Sequence, residues 1–260
     1  RPRMMDAGRP SLCLAIPLLD ARESDALART LDSIVAAGFV ASTEVLIQVG
    51  QSDRGAFPPD LLDHPCSPAW SFQPDSGIYA AMNTLLHRAT SDRILYVGAG
   101  DVVLPGLAAA VDRWSSQSVA PDLIQLGGVR LPDAEPGVPD HYPARWDASL
   151  RWRNTTHHQG MACPRTHLLE AGGFRKDLAV LGDYAMNLML WQAGIQAAWT
   201  DGEDWVSVQS GGVSRQFTPS LYAEERRMKR EVLQPGPARW IQPLWIALKS
   251  RWKRSRQSGR

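Results

Sequence analysis

The sequence lacks the features that mark disulfide-stapled, membrane-spanning and nucleic-acid-binding proteins. Its three cysteines, Cys13, Cys66 and Cys163, are odd in number and far apart, which argues against a disulfide framework and favours a reducing cytosol. The apolar run from Leu12 to Leu19 is interrupted by Pro17, and it is too short to span a bilayer, which takes about 20 residues. The formal net charge is only +1, so we expect no broad basic surface for nucleic acid.

Two other signatures are also missing. No pair of histidines at i, i+4 and no cysteine cluster supports a zinc site, and there is no glycine-rich, lysine-containing phosphate loop. The chain is nevertheless long enough, at 260 residues with 44% hydrophobic content, for one large α/β domain without staples. We expect a disordered leader at residues 1–10, a globular domain at 11–222 and a basic, amphipathic helical tail at 223–260.

The most informative stretch runs from Gln73 to Asp101. It opens with Pro74-Asp75-Ser76-Gly77, which predicts a turn. A helix is predicted next, because apolar residues recur at three- and four-residue steps. Its apolar stripe comprises Ile78, Ala81, Met82, Leu85, Leu86 and Ala89, and its polar column comprises Tyr79, Asn83 and His87. A short buried strand follows at Ile94 to Val97. Asp101 comes after its carboxyl end, where open α/β sheets bind ligands and a carboxylate can hold a hard cation.

The beginning of the chain predicts a strand-helix-strand unit of a parallel sheet. The two strands are Ser11 to Ile16 and Glu44 to Val49, and the helix between them runs from Asp25 to Ala37. Asp20 and Asp53 lie in the loops that follow the two strands. Either carboxylate can start a turn or cap a helix, or it can contact a ligand, and the residues alone leave both readings open.

The order PDSGIY-x-AMN, helix, strand, GAGD resembles the family 2 glycosyltransferases of bacterial surface-polysaccharide synthesis, which have the GT-A fold. The resemblance implies an α/β fold with a Rossmann-like, mostly parallel central sheet flanked by helices, occupying residues 11–222. It also implies a nucleotide-diphosphate sugar donor and a divalent cation, Mn²⁺ or Mg²⁺, held by Asp101. Donor contacts are expected at Asp75, Asn83 and Gly100. The chain departs from the family pattern at Ala80 and Gly100, where acidic residues are common.

The same resemblance extends to the loops on either side of this stretch. It places Pro17, Asp20 and Asp53 in loops that hold the nucleotide. A GGVS motif near the end of the domain places Gly212 beside the diphosphate, because glycine lets backbone amides approach phosphates. The alternative for Gly212 is an ordinary turn.

The HHQG and GDY motifs also resemble this family, and they imply the catalytic groups. Asp183, followed by Tyr184, becomes the candidate base that removes the proton of the acceptor hydroxyl in an inverting transfer. A helix N-cap is the alternative for Asp183. His158 is expected to contact the acceptor or the donor phosphate, with a structural histidine as the alternative. Because neighbours on a strand point to opposite faces, we expect only one of His157 and His158 at the site.

Two aromatic segments remain. The irregular stretch from Leu131 to Asn154 contains Trp146 and Trp152, whose rings can stack on a sugar or can anchor the loop to the core. On a helical wheel, one side of the C-terminal segment carries Trp240, Ile241, Leu244, Trp245, Leu248 and Trp252, with Ile246 and Arg251 off their expected faces. Such a basic, tryptophan-bearing helix suits an anionic bilayer interface. The alternative is a helix packed on the domain with a solvated basic end.

Taken with these patterns, the resemblance implies an inverting, metal-dependent glycosyltransferase of the hexosyltransferase type. It would transfer sugar from a nucleotide-diphosphate donor to a glycan or lipid-linked acceptor in exopolysaccharide, O-antigen or capsule synthesis. We expect a cytoplasmic protein, peripherally bound to the inner membrane through an anionic surface, with no nucleic-acid partner. The alternative, favoured by Ala80 and the single carboxylate of GAGD, is a non-catalytic relative that binds a nucleotide or glycan as a scaffold.

Overall fold

The computed structural model describes residues 12–39, 43–51, 53–116, 119–132, 140–209 and 218–258. Within these residues, nine strands form one sheet. The strands are β1 (Leu12–Leu18), β2 (Thr43–Val49), β3 (Ala69–Phe72), β4 (Arg93–Tyr96), β5 (Val102–Val103), β6 (Ile124–Arg130), β7 (His141–Tyr142), β8 (Met161–Pro164) and β9 (Ala197–Ser207). Their order is β3-β2-β1-β4-β8-β6-β9-β5, and β7 pairs with β6 outside this path.

Helices cover both faces of the sheet. They are α1 (Ser24–Ala36), α2 (Pro59–Leu62), α3 (Ile78–Arg88), α4 (Pro105–Ser116), α5 (Arg165–Glu170), α6 (Gly182–Gln192), α7 (Pro219–Val232) and α8 (Pro237–Ser258). Short 3-10 turns lie at Ala21–Glu23, Arg54–Ala56, Ala148–Arg151 and His158–Gly160. The predicted α/β fold with helices flanking a central sheet is confirmed.

The strand directions bring the informative motifs to one edge of the sheet. Strands β1 to β4 are mutually parallel and β6 and β9 share their direction, whereas β5, β7 and β8 run the opposite way. Six of the nine described strands therefore run in the same direction, whereas the eight pairings are four parallel and four antiparallel, so the sheet is mixed. Because β8 lies antiparallel beside β4, with Ile94 opposite Cys163, the start of β8 lies at the carboxyl end of β4. The HHQG motif, which precedes β8, is thereby brought next to the GAGD loop.

Two apolar layers sandwich the sheet. Alternate residues of β1 enter different layers: Leu14 and Ile16 pack with α1 and α4, and Cys13 and Ala15 pack with α3 and α6. Both faces of the strand are thus buried, which explains the continuous apolar run.

Helix α3 differs from its predicted orientation at its first turn. Ile78, expected in the buried stripe, is 47% exposed, and Tyr79, expected in the polar column, is buried. The reason is a second packing partner. The Tyr79 ring stacks on Phe174, and its hydroxyl donates to the carbonyl of Val180 at 2.5 Å. The rest of the stripe, from Ala81 to Ala89, is buried as predicted.

The C-terminal helices are packed on the domain. Glu224 of α7 accepts backbone N–H groups from the segment Ala179 to Leu181 at 2.8 to 2.9 Å. Helix α8 begins at Pro237, so Pro243 lies inside the helix, beyond its first turn. None of the described helices combines the length and the apolar character needed to cross a membrane. The boundary between domain and tail at residue 222 stays a prediction.

Candidate active site

Asp101 is the centre of the GAGD loop and joins three parts of the chain. It is 3% exposed. Its Oδ2 accepts the N–H of Gly98 at 2.8 Å and the side-chain amide of Gln159 at 3.2 Å, and its Oδ1 accepts the N–H of Gln209 at 3.0 Å. Burial raises the pKa of Asp101, against the lowering effect of these hydrogen bonds. The carboxylate therefore holds together the end of β4, the HHQG motif and the segment after β9.

Gly100 has a structural reason to be glycine. Its φ is +93°, a conformation that side chains disfavour, and the Gln209 side chain occupies the position that a Cβ would take. Its N–H donates to the Oγ1 of Thr30 at 2.9 Å. An acidic residue, common here in the resembled family, cannot enter this loop without moving Gln209.

The potential metal ligands around Asp101 decide how a cation could bind. Among the described residues there is no group of three histidine, cysteine or acidic side chains able to hold a metal. A carboxylate has about four acceptor sites, and the described residues use three of those on Asp101, which within this part of the chain leaves one on Oδ1. Mg²⁺-type ions are often held by one carboxylate, water and substrate phosphates. The residues present therefore fit a cation whose remaining ligands come from a bound diphosphate and water.

Asp183 lies in the first turn of α6, and it is not the N-cap. That position belongs to Leu181, which makes no side-chain cap. The Asp183 carboxylate accepts the N–H of Tyr184 at 2.7 Å, and its Oδ2 lies 3.4 Å from Nδ1 of His158 and 3.4 Å from Nδ2 of Asn154. The side chain retains 18% exposure. The predicted alternative of an N-cap is thus wrong, and the carboxylate is held by side chains at an accessible position.

The pKa of Asp183 is lowered, which keeps the carboxylate ionised. Burial, the largest single influence, raises the pKa. The hydrogen bond from His158, the electrostatic effects of His158 and His157, and the N–H of Tyr184 together outweigh burial and lower the pKa. A carboxylate that is ionised near neutral pH is able to accept a proton.

The HHQG motif bridges the two carboxylates. Gln159 bonds Asp101 through its amide nitrogen, and its Oε1 lies 3.0 Å from Nδ1 of His157. His158 contacts Asp183, and the rings of His157 and His158 stack with centroids 6.3 Å apart. The expectation that these two histidines point to opposite faces was wrong, because the motif forms a 3-10 turn and not a strand.

Sequence reasoning missed three residues of this site: Gln159, Asn154 and Asn187. Asn187 is buried in α6 and donates to Oδ1 of Asn154 at 3.1 Å, and Asn154 in turn contacts Asp183. A signal was present, because Asn187 is the lone polar residue in the middle of an apolar helix, one turn after Asp183.

On the donor side, Asp20 and Asp53 both cap 3-10 turns. Asp20 accepts the N–H of Arg22 at 2.9 Å and pairs with its guanidinium, which lowers the pKa of Asp20. Asp53 accepts the N–H of Ala56 at 3.1 Å. Both carboxylates act as caps in this structure, in agreement with the capping alternative. Their contact with a donor stays a prediction.

Asp75 has an open acceptor. Its Oδ1 accepts the N–H of Gly77 at 3.0 Å, whereas its Oδ2 is buried with no hydrogen-bond partner among the described residues. The carboxylate lies against Gly50 at the end of β2, where an added Cβ would come within 2.6 Å of Oδ2. Pro17 lies on the neighbouring strand β1, opposite Gln48. These strand ends form the edge at which a nucleotide is expected.

Three other predicted site residues have different surroundings. Asn83 bonds the backbone of Phe174 with both ends of its amide, at 2.7 and 2.8 Å, so it anchors α3 to the GGF turn. Tyr184 is buried, and its hydroxyl donates to the carbonyl of Leu150 at 2.5 Å. Gly212 lies outside the described residues. The structure thus brings Asp101, His158 and Asp183 together, and it gives Asn83 and Tyr184 structural contacts.

The two tryptophans of the irregular segment act as anchors. Trp146 is half-buried and donates its indole N–H to the carbonyl of Ile195 at 2.8 Å. Trp152 packs edge-on against Trp245 of α8, with ring centroids 6.0 Å apart. The contacts of both rings agree with the anchoring alternative, and residues 133–139 of this segment lie outside the described part.

Comparison with known proteins identifies the fold. No protein-family model matches the sequence, and no curated protein matches it significantly in sequence. The structure, in contrast, matches glycosyltransferases, and the chain has the GT-A fold.

Two solved proteins illustrate the match. S. aureus TarS 1–349 is 13% identical and has a TM-score of 0.63, with 96% of this chain and 74% of that chain covered. The same protein in complex with UDP-GlcNAc is 12% identical with a TM-score of 0.65, covering 91% of this chain and 70% of that one. The mannosyltransferase PcManGT from Pyrobaculum calidifontis, in complex with GDP-Man and Mn²⁺, is 18% identical with a TM-score of 0.60, and the match covers 95% and 72% of the two chains.

Proposed function

We propose that this protein is a glycosyltransferase that uses a nucleotide-diphosphate sugar, with Asp183 as the catalytic base and an inverting mechanism. One observation carries the proposal. The HHQG turn holds Asp101 through Gln159 and Asp183 through His158, so the two carboxylates share one site at the edge of the sheet. The similar structures support it, because TarS is seen with UDP-GlcNAc and PcManGT with GDP-Man and Mn²⁺.

The proposed reaction is a single displacement. The acceptor hydroxyl oxygen attacks the anomeric carbon from the face opposite the nucleotide, and its proton passes to a carboxylate oxygen of Asp183. The bond between the anomeric carbon and the diphosphate oxygen breaks, and its electron pair leaves with the nucleoside diphosphate. A divalent cation held by Asp101, when bound, supplies positive charge against the diphosphate.

Each neighbour of Asp183 has a part in this scheme. His158 keeps the pKa of the carboxylate low and limits the positions that Oδ2 can take. Asn154, itself held by Asn187, contacts the same oxygen from the other side. The other oxygen, Oδ1, accepts only the N–H of Tyr184 among the described contacts, and it is the better placed of the two to receive the proton.

The acceptor belongs to the same proposal. We infer a glycan or lipid-linked acceptor in the synthesis of exopolysaccharide, O-antigen or capsule, with transfer at the cytoplasmic face of the inner membrane. The resemblance of the GAGD, HHQG and GDY motifs to enzymes of that kind supports this step.

The test compares donor binding with transfer. Thermal unfolding should be measured with UDP, GDP, CMP and dTDP, each with and without Mn²⁺ or Mg²⁺, because a ligand of the native state raises stability by mass action, by about 2.7 kcal/mol at 100 times its Kd. Donor hydrolysis or transfer is then measured for wild type and for Asp183→Asn. We expect turnover to fall at least about 100-fold while nucleotide binding persists.

Asp60→Asn is the matched control, since it makes the same change at an exposed carboxylate on α2. Retained turnover in Asp183→Asn would remove Asp183 from the mechanism. A nucleotide-dependent shift without any hydrolysis or transfer would favour the scaffold alternative.

A further inference from the structure

The solvent-exposed side of α8 is apolar. Six large hydrophobic residues on it are exposed: Trp240, Ile241, Leu244, Trp245, Leu248 and Trp252. Trp240 is 80% exposed and Leu244 is 64% exposed. A patch of this kind on a folded domain marks a surface that binds another partner. The apolar side predicted from the sequence is therefore largely turned to solvent, with Trp245 at its edge also touching Trp152 of the domain.

A different strip of α8 packs on the protein. Gln242, Ile246 and Ser250 are buried at four-residue steps, so they lie on one side of the helix. Gln242 donates to the carbonyl of Arg151 at 2.7 Å. This packing accounts for Ile246, which did not fit the predicted apolar side.

Buried charges fix the orientation of α8. Lys229 of α7 donates to Oε1 of Gln242 at 3.0 Å and pairs with Glu225 at 2.9 Å, and Glu225 also pairs with Lys249 of α8 at 2.6 Å. Rotating α8 to bury its apolar side would remove Gln242 from Lys229 and Lys249 from Glu225, so the buried Lys229–Glu225 pair would lose its partners on α8, which is destabilising. The exposed face is therefore held outward by the fold.

The charge of α8 indicates which kind of partner binds its exposed apolar side. The helix contains no acidic residue and carries six basic ones: Arg239, Lys249, Arg251, Lys253, Arg254 and Arg256. Three of the six exposed apolar residues are tryptophans, which favour the boundary between water and lipid. We infer that the outward face of α8 docks on an anionic lipid surface. A second copy of the chain is a poorer fit, because a symmetric contact would bring two helices of the same charge together.

The docking face is connected to the candidate site, and this step rests on the proposed function. The indole N–H of Trp245 donates to the carbonyl of Trp152 at 3.3 Å. Two residues later, Asn154 contacts Asp183. The lipid-facing helix thus supports the segment that holds the candidate base, which favours an acceptor carried by the lipid surface over a soluble glycan.

The test is co-sedimentation of the full chain with vesicles of phosphatidylcholine, with and without phosphatidylglycerol. We expect binding to the mixed vesicles that weakens with salt. The double variant Leu244→Ser with Leu248→Ser should reduce the partition coefficient at least about tenfold, because the bilayer would no longer bury these two exposed apolar side chains. Arg251→Gln should reduce it about fivefold, and only on the anionic vesicles. Trp199→Ser, an exposed tryptophan on β9, is the matched control and should bind like wild type.

Two results would overturn the inference. One is vesicle binding by the double variant equal to that of wild type, with circular dichroism showing both folded. The other is a chain that ignores vesicles but self-associates in sedimentation equilibrium and becomes monomeric in the double variant, which would make the face a contact between copies. Vesicle binding does not depend on turnover, so failure of the donor test leaves this result standing. The preference for a lipid-carried acceptor has its own test. It would be refuted alone if wild type and the double variant each transferred sugar equally well to soluble and to lipid-carried acceptors.

Discussion

Gly182 begins helix α6 directly under the ring of Tyr79, and this contact gives a prediction about stability. A Cβ on Gly182 would lie 2.7 Å from the Cε2 and Cζ atoms of Tyr79. The ring has little freedom to move, because its hydroxyl donates to Val180 at 2.5 Å and its face stacks on Phe174. Gly182→Ala should therefore destabilise the protein.

The magnitude follows from opposing effects. Replacing glycine by alanine in an unobstructed helix gains roughly 0.5–1 kcal/mol. Overpacking a filled site costs about 1–3 kcal/mol, and a displaced Tyr79 hydroxyl loses about 1 kcal/mol more from its bond to Val180. The net loss is about 2 kcal/mol, which corresponds to a fall in Tm of about 4–8 °C for a domain of this size.

Thermal and urea unfolding measure this loss, with Gly55→Ala as the control. Gly55 also carries no positive φ, and its Cβ would meet only an Asp53 oxygen at an ordinary 3.4 Å. Adding Tyr79→Leu to Gly182→Ala should recover part of the loss, and the double-mutant cycle isolates the coupling. A Gly182→Ala protein as stable as wild type, or more stable, would refute the steric argument.

Two further predictions concern the neighbours of the site. His158→Gln removes the group that does most to lower the pKa of Asp183, so that pKa should rise and the acid limb of the pH-activity profile should move to higher pH; an unmoved limb would contradict this. Asn83→Ala removes two hydrogen bonds to Phe174, and we expect the free energy of unfolding to fall by about 2 kcal/mol. Unchanged stability would contradict the anchoring role, and nucleotide titration of the same variant tests the predicted donor contact.

The parts of the fold that sequence predicted are those that local chemistry decides. The first strand-helix-strand unit follows from apolar runs bounded by turn residues, and the observed elements β1, α1 and β2 end within two residues of the predicted ones. The GAGD loop follows its strand for the same reason. The apolar side of α8 was also predicted residue by residue, because helical periodicity depends only on the spacing of side chains.

The errors arise where a distant partner changes the environment. Tyr79 is buried because Val180, 101 residues away, accepts its hydroxyl. The contact of Asn83 with Phe174, 91 residues away, also lies beyond what spacing predicts, and the expected donor contact of Asn83 stays a prediction. Helical periodicity says which residues share a face, but it cannot say how many faces are covered. The same limit applies to α8, whose packed strip depends on buried charges of α7.

The two glycines of the site express one structural principle. Gly100 stands where the resembled family often has an acidic residue. At both Gly100 and Gly182, another side chain of this protein fills the space beside the backbone. At Gly100 that side chain belongs to Gln209, whose N–H also binds Asp101. At Gly182 it belongs to Tyr79. A larger side chain at either glycine would therefore have to displace a packed neighbour, and the proposed chemistry depends on the two carboxylates that the HHQG turn joins.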